Sequence, residues 1–208
     1  MPGNDIIDIS QTRLSTNWRR KGFLQKVFRL KEQELVKRSA DPFITVWRMW
    51  SMKESAYKLY LQQGHERFFN PSLIHCKFLS ESLGEVHIRG MKMKTYTEMS
   101  SEFIFTTASF EQEEGVESSI FSLTDDEAQS ETTHQKSLQF IAVKHRLSLE
   151  HLQLKKTSQN IPQFFYLEQK LPIAVSLTHH GNYGACSILV KQTLTELINN
   201  RGNKPVSV

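Results

Sequence analysis

The sequence contains only two cysteines, Cys76 and Cys186, and they do not have the spacing of metal ligands. A disulfide framework and a cysteine zinc site are therefore not indicated, and we expect both to be small buried apolar residues. The chain has no run of about 18 or more apolar residues, and its N-terminus, MPGNDIIDIS, lacks the basic and apolar regions of a signal peptide. We therefore expect a cytoplasmic protein that does not bind a membrane.

Sequence motifs of several large enzyme classes are also absent. The chain contains no G-x-x-x-x-G-K-[ST], no G-x-G-x-x-G, no H-E-x-x-H and no G-x-S-x-G. Its charge, in contrast, is unevenly distributed. Residues 111–137 carry a net charge of −7, which leaves +11 for the rest of a chain whose total is +4. A body of that sign attracts anions such as nucleotides, other phosphate-bearing molecules, acidic proteins or nucleic acid.

The order of predicted elements indicates an α+β fold in two units. Residues 1–110 begin with a strand, GNDIIDIS, and a helical stretch that forms either one helix or two helices broken near Arg29. A long helix follows, and then strands in LIHCKFL, GEVHIRGMKMKTY and EFIFTTASF. Residues 111–135 are polar and acidic and predict a linker or a long loop. Residues 136–208 predict a helix in HQKSLQFIAVKHRL, a strand after SLEHLQLKK, a closing strand LPIAVSLTHHGNYGACSILV and a last helix KQTLTELINNRG.

The strongest helix prediction covers residues 43–63. Asp41 can cap its N-terminus, Pro42 suits its first turn, and Gly64 is well placed to end it. This helix contains the stretch WSMKESAYK, from Trp50 to Lys58.

Trp50, Glu54 and Lys58 lie on one stripe of that helix because residues four apart stand above one another, whereas Lys53 points about 100° away. One interpretation is a surface ion pair between Glu54 and Lys58, contributing ~0.3–0.5 kcal/mol. The other is a functional carboxylate in a cleft. The large aromatic Trp50 on the same stripe favours the second, since such residues mark a buried side.

Two further stretches carry candidate residues. Asp5 lies within the apolar strand GNDII, where a carboxylate needs a partner, a ligand or a turn role. The stretch SLTHHGNYGAC places His179 and His180 beside hydroxyl side chains at the end of a strand. Imidazole and hydroxyl donors suit phosphate oxygens, and Gly181 and Gly184 allow close approach of the backbone to an anion.

In combination, these stretches resemble the motifs of the 4'-phosphopantetheinyl transferase superfamily, which includes the holo-acyl-carrier-protein synthases and the surfactin-synthetase-type transferases. GNDIID is similar to the family's G-x-D-I strand, WSMKESAYK to its W-x-x-K-E-[SA]-x-x-K helix, and SLTHHG to its S-x-S-H motif. GFLQKVF also resembles the segment that follows the strand in the synthases. The S-x-S-H-like motif closes the chain here, whereas it precedes G-x-D in the surfactin type. The resemblance therefore implies two related half-domains in swapped order, which form a pseudo-dimer in a single monomeric chain with the active site between them.

The resemblance also implies a role for each residue. Asp5 and Glu54 would ligate Mg²⁺, and Lys58 would stabilise charge on the transferred phosphoryl group. The 3'-phosphate of coenzyme A would contact His179, assisted by Ser176, Thr178 or His180. The reaction would move phosphopantetheine from coenzyme A to a serine of an apo acyl carrier protein or carrier domain, in fatty acid, polyketide or peptide biosynthesis, and release 3',5'-ADP.

The sequence departs from the family at two points. The surfactin type has a second acid where this chain has Ile7, so a third metal ligand would be water. Relatives have Gly-Lys-Pro where this chain has Asn160, Ile161 and Pro162, which leaves Lys155 or Lys156 as the candidates to replace that lysine.

Two non-catalytic functions compete with this interpretation. A paralogue that only binds coenzyme A or a carrier has no need of Asp5, Glu54 and Lys58 together. A nucleic-acid binder would interleave basic and aromatic residues on one strand, which this chain does not do, so we expect no nucleic-acid partner.

Overall fold

The computed structural model describes residues 1–113, 115–124 and 128–191. Residues 1–113 form an antiparallel sheet and the helices that cover it. The strands are β1 (Gly3–Asp8), β2 (Ile74–Phe78), β3 (Leu83–Ile88), β4 (Met91–Met99) and β5 (Phe103–Ser109). The helices lie between β1 and β2 and are α1 (Ile9–Ser15), α2 (Phe23–Val27), α3 (Leu30–Arg38) and α4 (Pro42–Gln62).

A second sheet follows with the same connectivity. Its strands are β6 (Glu117–Ser122), β7 (Leu152–Lys156), β8 (Pro162–Tyr166), β9 (Gln169–His180) and β10 (Tyr183–Val190), with helix α5 (Gln129–His145) between β6 and β7. The strand orders are β1-β5-β4-β3-β2 and β6-β10-β9-β8-β7. In each sheet a first strand is followed by a long helix and a four-stranded meander whose last strand pairs with the first. The prediction of an α+β fold built from two similar units is confirmed.

Helix α4 begins and ends within about one residue of the predicted 43–63 range. The Asp41 carboxylate accepts a hydrogen bond from the Ile44 N–H at 3.1 Å, which caps the helix. Gly64 follows the last turn with a φ of +86°, the left-handed conformation that ends helices. Four side chains on the inner face, those of Met49, Met52, Ala56 and Leu59, are fully buried. Helix α4 is therefore held firmly against its sheet.

Strand β1 lies between helix α4 and the second sheet. A Cβ atom at Gly3 would stand 1.9 Å from the Ser55 carbonyl oxygen, so only glycine allows this close approach to α4. Side chains at odd positions of β1 face α4, as Ile7 does in the core beside Met49. Side chains at even positions face the second sheet, as Ile6 does against Ala185. The strand therefore connects the two halves.

Three details of the sequence prediction need correction. The segment expected to be a linker, 111–135, contains strand β6, and α5 begins within it at Gln129. Its faint apolar patch, Ile120 and Phe121, packs against the cores of the molecule. The single closing strand is a hairpin of β9 and β10 that turns at Gly181, where φ is +57°.

The remaining predictions of secondary structure divide into two groups. Of the two alternatives for the helical stretch, the structure has the one broken near Arg29, since α2 ends at Val27 and α3 begins at Leu30. The last predicted helix, from 191 onward, lies outside the described residues except for Lys191. Among the helices that the structure describes, none is long and apolar enough to cross a bilayer.

Candidate active site

The structure brings Asp5, Glu54 and Lys58 together where α4 faces β1. The Lys58 ammonium donates to the Asn4 carbonyl oxygen at 2.8 Å and to the Leu177 carbonyl oxygen at 3.4 Å. Its nitrogen also lies 3.8 Å from Oδ1 of Asp5. Lys58 therefore contacts both halves of the molecule. In the part of the chain that the structure describes, its ion-pair partner is Asp5 and not Glu54, so the helix-surface pair considered from the sequence does not form.

Burial of this cluster disfavours the charged forms of all three side chains. Burial raises the pKa of Asp5, while the Lys58 charge and hydrogen bonds from Ser51 and Thr178 oppose that rise. Burial and the negative charge of Asp5 raise the pKa of Glu54 to about 7, against the opposing effect of Lys58. Burial lowers the pKa of Lys58, although both carboxylates counteract it. Two carboxylates thus share one ammonium group in a poorly solvated site.

The donor set fits a hard divalent cation. Oδ2 of Asp5 is buried without a hydrogen-bond partner among the described residues, which is costly unless something binds there. Carboxylate oxygens are the ligands that Mg²⁺ prefers, and it commonly takes one or two of them. No cluster of three or more His, Cys, Asp or Glu side chains suited to a metal occurs within the described ranges. A cation held by Asp5 and Glu54 would therefore complete its coordination with water or substrate oxygens.

Lys53, the residue before Glu54, has a different role. Its side chain is 1% exposed, and four oxygens lie within hydrogen-bond distance of its ammonium. These acceptors are the Glu32 carboxylate at 2.8 Å and the carbonyls of Ile74 at 2.8 Å, Val27 at 2.9 Å and Pro71 at 3.1 Å. Lys53 thus joins α2, α3 and the start of β2 to α4. Sequence reasoning missed this role, although the 100° offset of Lys53 from Glu54 indicated that the two residues face different surroundings.

Strand alternation directs successive side chains of the SLTHHG stretch to opposite faces of β9. The N–H groups of Asn4, Ile6 and Asp8 point away from β5, and side chains of β9 accept their hydrogen bonds. The pairs are Asn4 with Ser176 Oγ at 3.1 Å, Ile6 with Thr178 Oγ1 at 3.3 Å and Asp8 with His180 Nδ1 at 2.9 Å. These side chains therefore cover the free edge of β1 and join the two halves.

This geometry changes the expectation for the predicted phosphate ligands. Thr178 and His180 accept hydrogen bonds from the backbone of β1, and neither lines the cleft between the halves. Their side chains therefore join the two halves. Ser176 lines a cleft between the two halves, although its hydroxyl accepts a hydrogen bond from the Asn4 N–H. His179 lies on the opposite side of β9, where its Nδ1 is 3.2 Å from Oε1 of Gln129 at the start of α5.

The two glycines of the same stretch also serve the fold. A Cβ atom at Gly181 would lie 2.3 Å from Oδ2 of Asp8, whose carboxylate accepts the Asn182 N–H at 2.9 Å. A Cβ atom at Gly184 would lie 2.4 Å from the Phe121 ring. Protein atoms therefore occupy the space that a side chain at either position would need, and both glycines permit close contacts within the fold.

A cleft of about 230 Å³ opens between the two halves next to Lys58. Its described lining includes no acidic residue, and its cationic or titratable side chains are Lys58, Arg67, His134, Lys156 and His179. Burial, followed by the Lys58 charge, lowers the pKa of His179. Burial, followed by the Lys156 charge, lowers the pKa of His134. Such a concentration of donors suits a molecule with several phosphate charges.

Sequence reasoning found some of these residues and missed others. Of the two lysines considered as replacements for the absent Gly-Lys-Pro lysine, Lys156 lines the cleft, whereas the Lys155 ammonium lies 4.9 Å from the centre of the Phe165 ring. Arg67 and His134 were not predicted, because no local pattern marks them and only the packing of the halves brings them together.

Comparison with known proteins agrees with the arrangement of these elements. The family model of the 4'-phosphopantetheinyl transferase superfamily matches residues 1–110, more than half of the chain, and this range contains β1 and α4. No curated protein matches the chain. The chain therefore belongs to the 4'-phosphopantetheinyl transferase superfamily.

Proposed function

We propose that this protein transfers the 4'-phosphopantetheine group from coenzyme A to a serine of an apo acyl or peptidyl carrier protein, with Mg²⁺ as the metal. The products are the holo-carrier and 3',5'-ADP. The observation that carries the proposal is the position of Lys58, which lines the cationic cleft and lies 3.8 Å from Oδ1 of Asp5. A polyphosphate held in that cleft would reach the carboxylate pair through Lys58, which borders both.

The cleft residues support binding of the nucleotide part of coenzyme A. His179, His134, Lys156 and Arg67 surround a volume without described acidic residues. Lys58 is the cleft residue next to Asp5, and its ammonium would stabilise charge on the phosphoryl group that is transferred.

The carboxylates support the metal and the proton transfer. Asp5 and Glu54 would hold Mg²⁺, which would neutralise them and polarise the pyrophosphate oxygens when bound. Deprotonated Glu54 would help remove the proton of the carrier serine. The serine oxygen then forms a bond to the β-phosphorus as the bond from that phosphorus to the bridging oxygen breaks, and 3',5'-ADP leaves with that oxygen.

We further propose that the site is complete within one chain. Its residues come from both units, with Asp5, Glu54 and Lys58 in residues 1–110 and His134 and His179 in the second unit. With β6 included in the second unit, the half-domain boundary falls between β5 and β6. We expect sedimentation equilibrium to show a monomer, and we expect that monomer to be fully active. Activity that appears only when the protein oligomerises would contradict this proposal.

The experiment is Mg²⁺-dependent conversion of apo-carriers, followed by the intact mass of the carrier. Glu54→Gln should abolish the conversion, and Glu34→Gln, which changes an exposed glutamate on α3, should not. If the wild type binds coenzyme A but modifies no carrier, the non-catalytic binding protein is the correct interpretation.

A further inference from the structure

A second pocket lies on the Glu54 side of the site and is distinct from the cationic cleft. It has a volume of about 280 Å³, and its walls include Trp50, Tyr57, Phe68 and Phe69 together with Glu54. The cationic cleft contains Lys58 but not Glu54. Glu54, which we propose to accept the proton of the acceptor hydroxyl, therefore borders an aromatic surface.

Phe69, at this pocket, is 93% exposed. The next residue inward, Phe68, is fixed: its N–H donates to the Tyr57 hydroxyl at 2.9 Å, and that hydroxyl donates to the Phe68 carbonyl oxygen at 2.9 Å. The Phe68 ring also packs edge-on against Tyr57 and Tyr60, with centroids 5.1 and 5.7 Å apart. The exposed Phe69 therefore directly follows a residue, Phe68, whose backbone and ring are both fixed by contacts with α4.

The other side of Phe69 is anchored as well. The carbonyl oxygen of Pro71 accepts from Lys53 at 3.1 Å, and that of Ser72 accepts from Nε of Arg29 at 3.0 Å. Asn70 accepts the Ser72 N–H at 3.1 Å. Because both flanks of Phe69 are tied to α4 or to Arg29, between α2 and α3, a partner that covers its ring would not have to order the loop.

Exposed apolar side chains and basic side chains occur on the segments next to the Phe69 loop. Leu30 and Leu73, which directly follow Arg29 and Ser72, are 77% and 41% exposed. A neighbouring pocket shares Trp50 and Pro71 with the aromatic pocket. The basic residues that line it are Arg20, Lys21 and Lys26, so the apolar surface has a cationic border.

We propose that the Phe69 surface, defined as Phe69, Leu30 and Leu73 with the border of Arg20, Lys21 and Lys26, docks the carrier protein, with the Phe69 ring as its anchor. This inference rests on the proposed function. An acidic protein surface with an apolar depression complements both the ring and its cationic border. Docking there presents the acceptor serine to Glu54, while the nucleotide enters from the Lys58 side.

The test uses the full chain and two variants, Phe69→Ala and Val143→Ala. Val143 is a matched control because it is 81% exposed on α5. The probe is a fluorescently labelled apo acyl carrier protein, and its Kd is measured by anisotropy without coenzyme A. We expect Phe69→Ala to raise the Kd and the KM for the carrier roughly 10- to 100-fold, with the KM for coenzyme A unchanged, and Val143→Ala to change neither.

The outcomes separate this inference from the proposed function. If the wild type binds the carrier but transfers nothing, and Phe69→Ala weakens that binding, docking stands and the transfer proposal fails. An unchanged Kd in Phe69→Ala, or no binding of any carrier to the wild type, overturns docking. A raised KM for coenzyme A alone would assign the pocket to the pantetheine arm, and a change from dimer to monomer would assign it to a second copy of the chain.

Discussion

Replacing Glu54 with glutamine tests the electrostatics of the site independently of catalysis. The fold raises the pKa of this carboxyl from its ordinary value of 4.5 to about 7. Because one pKa unit corresponds to about 1.4 kcal/mol, keeping Glu54 deprotonated in the metal-free fold costs about 3 kcal/mol. The folded protein retains a proton that the unfolded chain releases between these two pH values. The contribution of Glu54 to stability is therefore fully present below pH 4.5 and is lost as the pH rises through 7.

Urea unfolding of the metal-free protein at pH 5 and pH 8 measures this effect. We expect Glu54→Gln to exceed the wild type in free energy of unfolding by up to about 3 kcal/mol at pH 8 and by little at pH 5. Mg²⁺ should stabilise the wild type at pH 8 and have little effect on the variant. The exposed substitution Glu34→Gln should behave as the wild type does. Identical pH dependence in Glu54→Gln and the wild type would refute the assignment of a raised pKa to this residue.

Three further predictions concern the residues around the site. Lys53→Met should lower the free energy of unfolding by about 3–5 kcal/mol, measured by chemical denaturation, because it leaves the Glu32 carboxylate buried without its cation. His179→Ala should raise the KM for coenzyme A, whereas His180→Ala should mainly lower stability by about 1–3 kcal/mol, because it leaves the Asp8 N–H without an acceptor. Binding of 3',5'-ADP should tighten as the pH falls from about 8 to 6, because phosphates favour the charged forms of His134 and His179, whose pKa values are lowered in the free protein. Calorimetry measures the affinity and the proton uptake that accompanies binding.

Matched controls exist for each of these variants. Lys37 is exposed on α3, so Lys37→Met should leave stability nearly unchanged. His151 is exposed and does not line the cleft, so His151→Ala should leave the KM for coenzyme A unchanged. If His180→Ala impairs nucleotide binding as strongly as His179→Ala, the division of the two histidines between edge capping and the cleft is incorrect. Nucleotide affinity that does not depend on pH would exclude protonation of the cleft histidines on binding.

The parts of the fold that the sequence predicted well depend on local interactions. Helix α4 has its cap, its first-turn proline and its terminal glycine within the same stretch of chain, so its ends were predictable. The juxtaposition of Asp5 with Glu54 and Lys58 followed from resemblance, because no local rule brings β1 onto α4. The physical reason lies in Gly3, which alone permits that close contact.

The parts that were missed depend on long-range packing. Strand β6 lies in an acidic, polar segment, and its pairing with β10 determines its conformation. Adjacent histidines look equivalent in a sequence, but strand alternation directs His180 to β1 and His179 to the cleft. Arg67 and His134 line the same cleft only because the two halves pack together, so no spacing could identify them.

The intact mass of a panel of apo-carriers, incubated with coenzyme A and Mg²⁺, tests the central claim most directly. With the wild-type protein, at least one carrier should gain the mass of a phosphopantetheine arm, and the gain should be lost on metal chelation and in Glu54→Gln. No mass gain on any carrier, from a protein that is folded and binds coenzyme A, would contradict transfer. An undiminished gain with Glu54→Gln would contradict the role assigned to the carboxylate pair.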